Sequence, residues 1–189
     1  MVYKGVQRAI WLRPREQNMT VQFRRQLTDY VEYHRDPWNS VMHVVGIILL
    51  FLGAILPPSL LHISAFGVET RLAVILALPV LIYWLWLDTA LGTAILGAAI
   101  GLLWLGSVIV DTVSATTMWS IFAVLTVLGV AAQIVGHQVF ERRQPALVDN
   151  PSHLLLGPMF VMAKLFIALG FRADLAAIIT PTSSVVSST

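Results

Sequence analysis

Residues 89–110 read TALGTAILGAAIGLLWLGSVIV, 22 consecutive positions without an Asp, Glu, Lys or Arg. About 20 apolar residues suffice to cross a bilayer as a helix, and charges inside such a run are costly. The run therefore predicts a membrane-spanning helix. Three more uncharged stretches flank it, at 37–68, 72–87 and 112–140. Across all 189 residues, 57% are hydrophobic and 12% charged, where soluble domains carry about a quarter charged. Mean hydropathy is +0.79. A soluble enzyme and a disordered chain are thereby excluded. The chain has no cysteine, which excludes a disulfide framework, a thiolate metal site, a cysteine-held iron–sulfur cluster and a cysteine nucleophile. Any metal must be held by nitrogen and oxygen. The net charge of +2 gives little support for nucleic-acid binding.

Within these stretches four spans are predicted. The first covers 38–56 and ends on Pro57 and Pro58; the second, 72–87, is short and contains Pro79; the third covers 89–110; the fourth covers 118–140. Asp88 and Asp111 mark loop ends. Gly97 and Gly101 in the third span have the GxxxG spacing that lets a neighbouring helix approach closely, so this span is expected at the centre of the bundle, with its glycine face open to an oligomer contact. The stretch 154–171 is apolar but interrupted by Pro158 and Lys164, which predicts a helix in the interface rather than a fifth span. Before the first span, Phe23, Leu27, Tyr30, Val31 and His34 recur at helical spacing, so 20–34 is expected to be an amphipathic helix. Pro37 breaks it. The fold class expected is all-α, an integral membrane bundle of four transmembrane helices with an N-terminal amphipathic helix and a C-terminal interfacial helix. Its parts are a cytoplasmic segment (1–36), a membrane domain (37–171) and a disordered tail (172–189), Ser/Thr-rich from residue 180.

Seven of the twelve Lys and Arg lie in the first 36 residues, and no apolar run there is long enough for a cleavable signal peptide. With the Arg142–Arg143 pair, this bias places both termini in the cytoplasm. The membrane is expected to be the bacterial inner membrane, or the endoplasmic reticulum if the source is eukaryotic.

Five histidines are present, and the topology sorts them. His34, His43, His137 and His153 fall near the cytoplasmic face; His62 lies about 30 Å away by helix rise. Asn39 and His43 share a helix face at i, i+4, as do Gln133, His137 and Glu141 in succession. Polar groups at membrane depth face the bundle interior and mark a functional site by default. Imidazoles with a carboxylate and no cysteine suit iron, zinc or manganese, and two histidines with one carboxylate is the arrangement of non-haem Fe(II) oxygenases. Each residue also has a plainer reading. His43 and His137 can hydrogen-bond across helices, His34 can be a surface group beside Arg35 and Asp36, Glu141 can pair with Arg142 and Arg143, and His153 can open a helix after Pro151.

Residues 33–46, YHRDPWNSVMHVVG, resemble the opening signature of the membrane-embedded 2-hydroxy fatty acid dioxygenase family. Residues 133–147, QIVGHQVFERRQPAL, resemble its second signature, and Gly157-Pro158-Met159-Phe160 its third. The likeness covers about residues 20–170. One departure is Lys164, where the family pattern leads us to expect a carboxylate. The resemblance implies an Fe(II)-dependent alpha-oxidation, in which O2 cleaves a 2-hydroxy fatty acid next to its carboxyl and leaves a fatty acid one carbon shorter. It makes His34, His43 and His137 the leading ligands and catalytic residues, with His153 and Glu141 as further candidates. Asn39 and Gln133 would orient the ligands, and Arg35, Arg142 or Arg143 would hold the substrate carboxylate. The partners implied are the 2-hydroxy acid, O2 and membrane lipid.

The rival reading is a non-enzymatic four-helix membrane protein, a small transporter or assembly factor with structural histidines. A transporter should carry polar groups through its whole depth, whereas here they collect at one end. Five histidines without an HxxHH box argue against a di-iron desaturase or hydroxylase.

Overall fold

The computed structural model describes residues 19–65, 67–142 and 151–180. Helix α1 (Val21–Val31) starts at Thr20, whose hydroxyl accepts the amide of Phe23 at 3.1 Å and donates to the Leu87 carbonyl at 3.1 Å. Its buried side chains, Phe23, Leu27 and Tyr30, are one face of the predicted stripe. They pack into the core with Leu156, Met159, Phe160 and Leu175. The helix is shorter than the stripe predicts, and His34 lies beyond its end.

Helix α2 (Pro37–Ser59) opens with Asp36, whose carboxylate accepts the amides of Trp38 at 2.7 Å and Asn39 at 3.2 Å. Pro37 in its first turn has no amide to leave unsatisfied. Pro57 and Pro58 do not stop the helix; both lie in its last turn. A two-stranded antiparallel hairpin follows, β1 (His62–Ala65) and β2 (Val68–Arg71), with His62 opposite Arg71. The all-α expectation missed this hairpin, whose strands are too short to show periodicity. Helix α3 (Leu72–Leu87) has the predicted bounds. Helix α4 (Thr89–Thr112) starts at Asp88, whose carboxylate accepts the Leu91 amide at 3.0 Å.

Helix α5 (Ala115–Val135) starts at Ser114 and continues as a π-helical turn over Gly136–Glu141, which ends at Arg142 with φ 53°. A 3-10 turn (Pro151–Leu155) leads into α6 (Leu156–Ala168). After Gly170, with φ +79°, the chain folds back as α7 (Ala173–Ile179), bent 119° from α6. Leu175 and Ile179 of α7 are buried, so the expected disordered tail is a packed helix as far as residue 179. The rest of that tail, the first 18 residues and Arg143 lie outside the described residues.

Three described helices are long and apolar enough to cross a membrane: α2, α4, and α5 with its π turn. Helix α3 is apolar but has 16 residues, about 24 Å of rise against a hydrocarbon core of about 30 Å.

The centre of the bundle is α2, not α4. It packs most extensively on α5 and also touches α3, α4 and α6. Gly97 and Gly101 have open space where a Cβ would stand, so the expected GxxxG face makes no close contact among the described residues. Close approach occurs elsewhere. A Cβ on Gly46 of α2 would come within 3.0 Å of the Gly129 carbonyl of α5, and one on Gly129 within 2.7 Å of Leu50. This crossing brings the start of α2 against the end of α5. A third contact joins α3 to α4, where a Cβ on Gly92 would stand 2.6 Å from the Leu85 Cα and 2.8 Å from the Trp84 carbonyl carbon. Because backbone cannot swing aside, Gly92→Ala should cost about 1–3 kcal/mol. Gly97→Ala should instead gain up to about 1 kcal/mol of helix propensity. Thermal unfolding in detergent checks both, with midpoints moving in opposite directions by about 2–4 °C per kcal/mol.

Candidate metal centre

Three of the sequence-predicted residues meet in one place. His34 follows α1, His43 sits in the second turn of α2, and His137 lies in the π turn. All three are buried, and one ring nitrogen from each falls within 4.8 Å of the others. Among the described residues this is the one group of histidines and carboxylates so arranged. A π turn is common at functional sites. Here it carries both His137 and Glu141.

The hydrogen bonds decide which nitrogens are free. His34 Nδ1 lies 2.8 Å from the Tyr30 carbonyl oxygen, which only accepts, so Nδ1 carries the proton and Nε2 a lone pair. His43 Nδ1 lies 3.1 Å from Asn39 Oδ1. The Asn39 amide is oriented by its own donors, since Nδ2 donates to Glu141 Oε1 at 3.1 Å and to the Tyr33 carbonyl at 3.4 Å. His43 is therefore also protonated at Nδ1. Yet the two Nε2 atoms stand 3.0 Å apart, which sets lone pair against lone pair. A cation between them turns repulsion into attraction. Facing imidazole lone pairs of this kind suit a shared divalent cation, which His34 and His43 would hold together with His137. A proton is a poor substitute: burial, and then the neighbouring His43, push the His34 imidazole down to about 2, so it stays in the neutral form that binds metals. Among the described residues, His137 Nδ1 is buried without a hydrogen-bond partner. The donor set fits a borderline divalent metal.

Support comes from residues around the group. The Tyr30 ring stacks on His34 with centroids 3.9 Å apart. Glu141 Oε1 accepts the Asp36 amide at 2.7 Å as well as Asn39, so its carboxylate reaches His43 through Asn39. Gln133 Nε2 donates to the His43 carbonyl at 3.4 Å, touching the helix backbone rather than the ring. His153 Nε2 is 2.9 Å from Asp29 Oδ2, and its buried Nδ1 has no partner among the described residues. Glu141 and His153 thus stand beside the three-histidine group, not in it. Arg35 and Arg142 are exposed, and His62 is exposed on β1.

Sequence reasoning overlooked Tyr30 and Asp36 as parts of the centre. Two signals were available: Tyr30 and His34 lie at i, i+4, and Asp before Pro marks a helix start. Lys164 also borders the site. Its ammonium donates to Ser40 Oγ and lies 4.6 Å from the Phe160 ring centroid. The signal in the sequence was its departure from the family pattern, a lysine where a carboxylate is expected.

Residues 20–169 match a family model described as 2-hydroxy-palmitic acid dioxygenase Mpo1-like. The chain belongs to the Mpo1-like family. Its sequence is 33% identical over 158 residues, 82% of this chain and 85% of the relative, to the 2-hydroxy-palmitic acid dioxygenase MPO1 of Saccharomyces cerevisiae. No solved structure matches. The resemblance read from residues 33–46 and 133–147 therefore holds. In this Mpo1-like chain the matched stretch runs from the Thr20 cap through α6 and takes in all three histidines.

Removing Asn39 tests the supporting bonds. Asn39→Ala deprives Glu141 of a donor and frees the His43 ring to turn. Loss of such an outer partner typically costs 10–100-fold in metal affinity. Titration with a competing chelator should show a loss of about that size, larger than for Gln133→Ala.

Proposed function

We propose that the chain is an Fe(II)-dependent dioxygenase that shortens 2-hydroxy fatty acids by one carbon. The observation that carries this reading is the pair of Nε2 lone pairs at His34 and His43 held 3.0 Å apart beside His137, in a chain 33% identical to a relative named for 2-hydroxy-palmitic acid. His34, His43 and His137 would hold the metal. When bound, Fe(II) supplies the redox chemistry for O2 and open positions for a substrate that chelates through its hydroxyl and carboxylate.

The chain's own residues do the rest. Tyr30, Asn39 and Glu141 keep the imidazoles in their metal-binding tautomers. Lys164, which donates to Ser40 Oγ, is a half-buried cation suited to the substrate carboxylate, while the exposed Arg35 and Arg142 would draw the acid toward that face, a role expected from the sequence for Arg143 as well. His153, held by Asp29, and Glu141, held by Asp36 and Asn39, would border the metal rather than bind it. A cavity of about 300 Å³ below the histidines, walled by Ile47, Leu50, Val130 and Ile134, accepts the acyl tail. The reaction balances without a further reductant. The bond between C1 and C2 breaks, C2 becomes the new carboxyl, C1 leaves as carbon dioxide, and O2 takes the four electrons with one water formed.

In the membrane, α2, α4, α5 and the shorter α3 would form the four spans, with the centre at the cytoplasmic face and both termini cytoplasmic, in a bacterial inner membrane or endoplasmic reticulum. The open Gly97/Gly101 face would be available to a second copy.

The test is metal analysis of untagged protein purified without oxygen, then O2 uptake on adding 2-hydroxypalmitate. Iron with substrate-dependent uptake and release of the shortened acid is the expected result. Iron without turnover discards the reaction. No metal bound or taken up from added Fe(II) returns the histidines to packing and favours the non-enzymatic bundle.

A further inference from the structure

Two apolar cavities lie along α2. The first, about 300 Å³, begins at the histidines and includes Ile47, Leu50 and Phe51. The second, about 280 Å³, includes Phe51, Ala54, Ile55 and Pro58 and is lined on its other sides by residues of α3 and α4, among them Trp84. Phe51 is the residue common to both linings. His43, Ile47, Phe51, Ala54 and Pro58 succeed one another at intervals of three or four, so they share one helix face. The two cavities are therefore successive stations on a stripe that starts at the candidate metal centre.

Helix rise gives the distances. From His43 to Phe51 the stripe advances about 12 Å, and to Pro58 about 22 Å. A fully extended chain advances about 1.2 Å per bond. About ten bonds thus bring an acyl tail from the histidines to Phe51, and a palmitoyl tail has to pass it. The half-buried Phe51 ring rests against Trp84, with centroids 5.8 Å apart and planes tilted by 48°. Trp84 is itself pinned, its Nε1 donating to the Leu155 carbonyl at 2.7 Å. One side of the partition is stiff, so passage falls to the Phe51 rotamer.

We propose that Phe51 is the partition of a single acyl channel made of both cavities, and that it sets the chain length this protein accepts. The inference rests on the proposed function, because it takes the occupant to be the tail of a 2-hydroxy acid whose head lies at the histidines. Removing the ring joins the two cavities; enlarging it separates them.

The experiment compares wild type, Phe51→Leu, Phe51→Ala and Phe51→Trp for O2 uptake with 2-hydroxydecanoate, 2-hydroxypalmitate and 2-hydroxylignocerate, at matched metal content. Selectivity from a change of pocket volume runs to about tenfold or more. We expect the ratio of lignocerate to decanoate rates to rise about tenfold in Phe51→Ala, less in Phe51→Leu, and the palmitate to decanoate ratio to fall by a similar factor in Phe51→Trp. Phe51→Leu keeps the core filled and carries the test if Phe51→Ala does not fold. Ratios equal to wild type in every folded variant overturn the proposal. If wild type turns over none of the acids, the proposed function fails, and retention of unhydroxylated decanoate and lignocerate by the same proteins decides the channel separately. A shift toward lignocerate in the smaller variants supports the partition, and equal retention overturns it.

Discussion

Alanine at His43 should leave the purified protein without its metal and lower turnover of a 2-hydroxy fatty acid by about a hundredfold or more. His43 touches both other members of the group. Its ring centroid lies 4.3 Å from that of His34 and 4.7 Å from that of His137, which are 5.0 Å from each other, so its loss reduces a three-donor group to two. His137→Ala should behave alike. His62→Ala, on the exposed hairpin, should change neither metal content nor rate. A readout independent of turnover follows from linkage, since a ligand that binds the folded state raises the unfolding midpoint. A chelator should therefore lower the midpoint of wild type and of His62→Ala but not that of His43→Ala. Equal metal content in all three variants would sink the three-histidine assignment.

The largest structural effect is expected at Asp88. Its side chain is fully buried, accepts Arg172 Nη1 at 2.8 Å and also accepts the Leu91 amide at the start of α4. Arg172 is buried too, and its second partner is Asp174 at 2.7 Å. Breaking a buried pair by removing one partner costs about 3–5 kcal/mol, because the other charge is left uncompensated, and loss of the cap adds about 1 kcal/mol. Asp174 keeps part of the compensation, so Asp88→Ala should lie near 3–5 kcal/mol in all. Asp88→Asn retains the cap oxygen and should cost less. Since Arg172 leads into α7, the weakened protein should release α7 first. Limited proteolysis should then cut between α6 and α7 in Asp88→Ala before it cuts wild type. A change within about 0.5 kcal/mol, the range of ordinary surface substitutions, would show that this pair does not hold α7.

Much of this architecture was readable along the chain. Long runs without charge betrayed α2, α4 and α5, and the bounds of α3 fell where Arg71 and Asp88 interrupt the run. Other features were not readable. Asp88 reads locally as a loop marker because its partner Arg172 stands 84 residues away. Gly97 and Gly101 have the spacing of a helix contact yet face outward, while Gly46 and Gly129, which make one, have no GxxxG spacing. Residues 173–179 are too few to show a helical period, and their burial depends on a docking site that α1 and α6 build.

The candidate centre divides the same way. The sequence by itself determined that a metal here must be held by nitrogen and oxygen, that the polar residues gather at one end of the apolar helices, and which histidines stand at that end. It did so because composition and the cost of charge in an apolar run are properties of each residue. Only the tertiary structure decided that His34, His43 and His137 converge, that Glu141 accepts from Asn39 rather than joining them, and that the free lone pairs are those of Nε2 at His34 and His43. Those outcomes depend on how far α2 and α5 close at Gly46 and Gly129 and on the π turn that carries His137 to His43. Both are sums of packing over distant residues, which no local stretch of sequence contains.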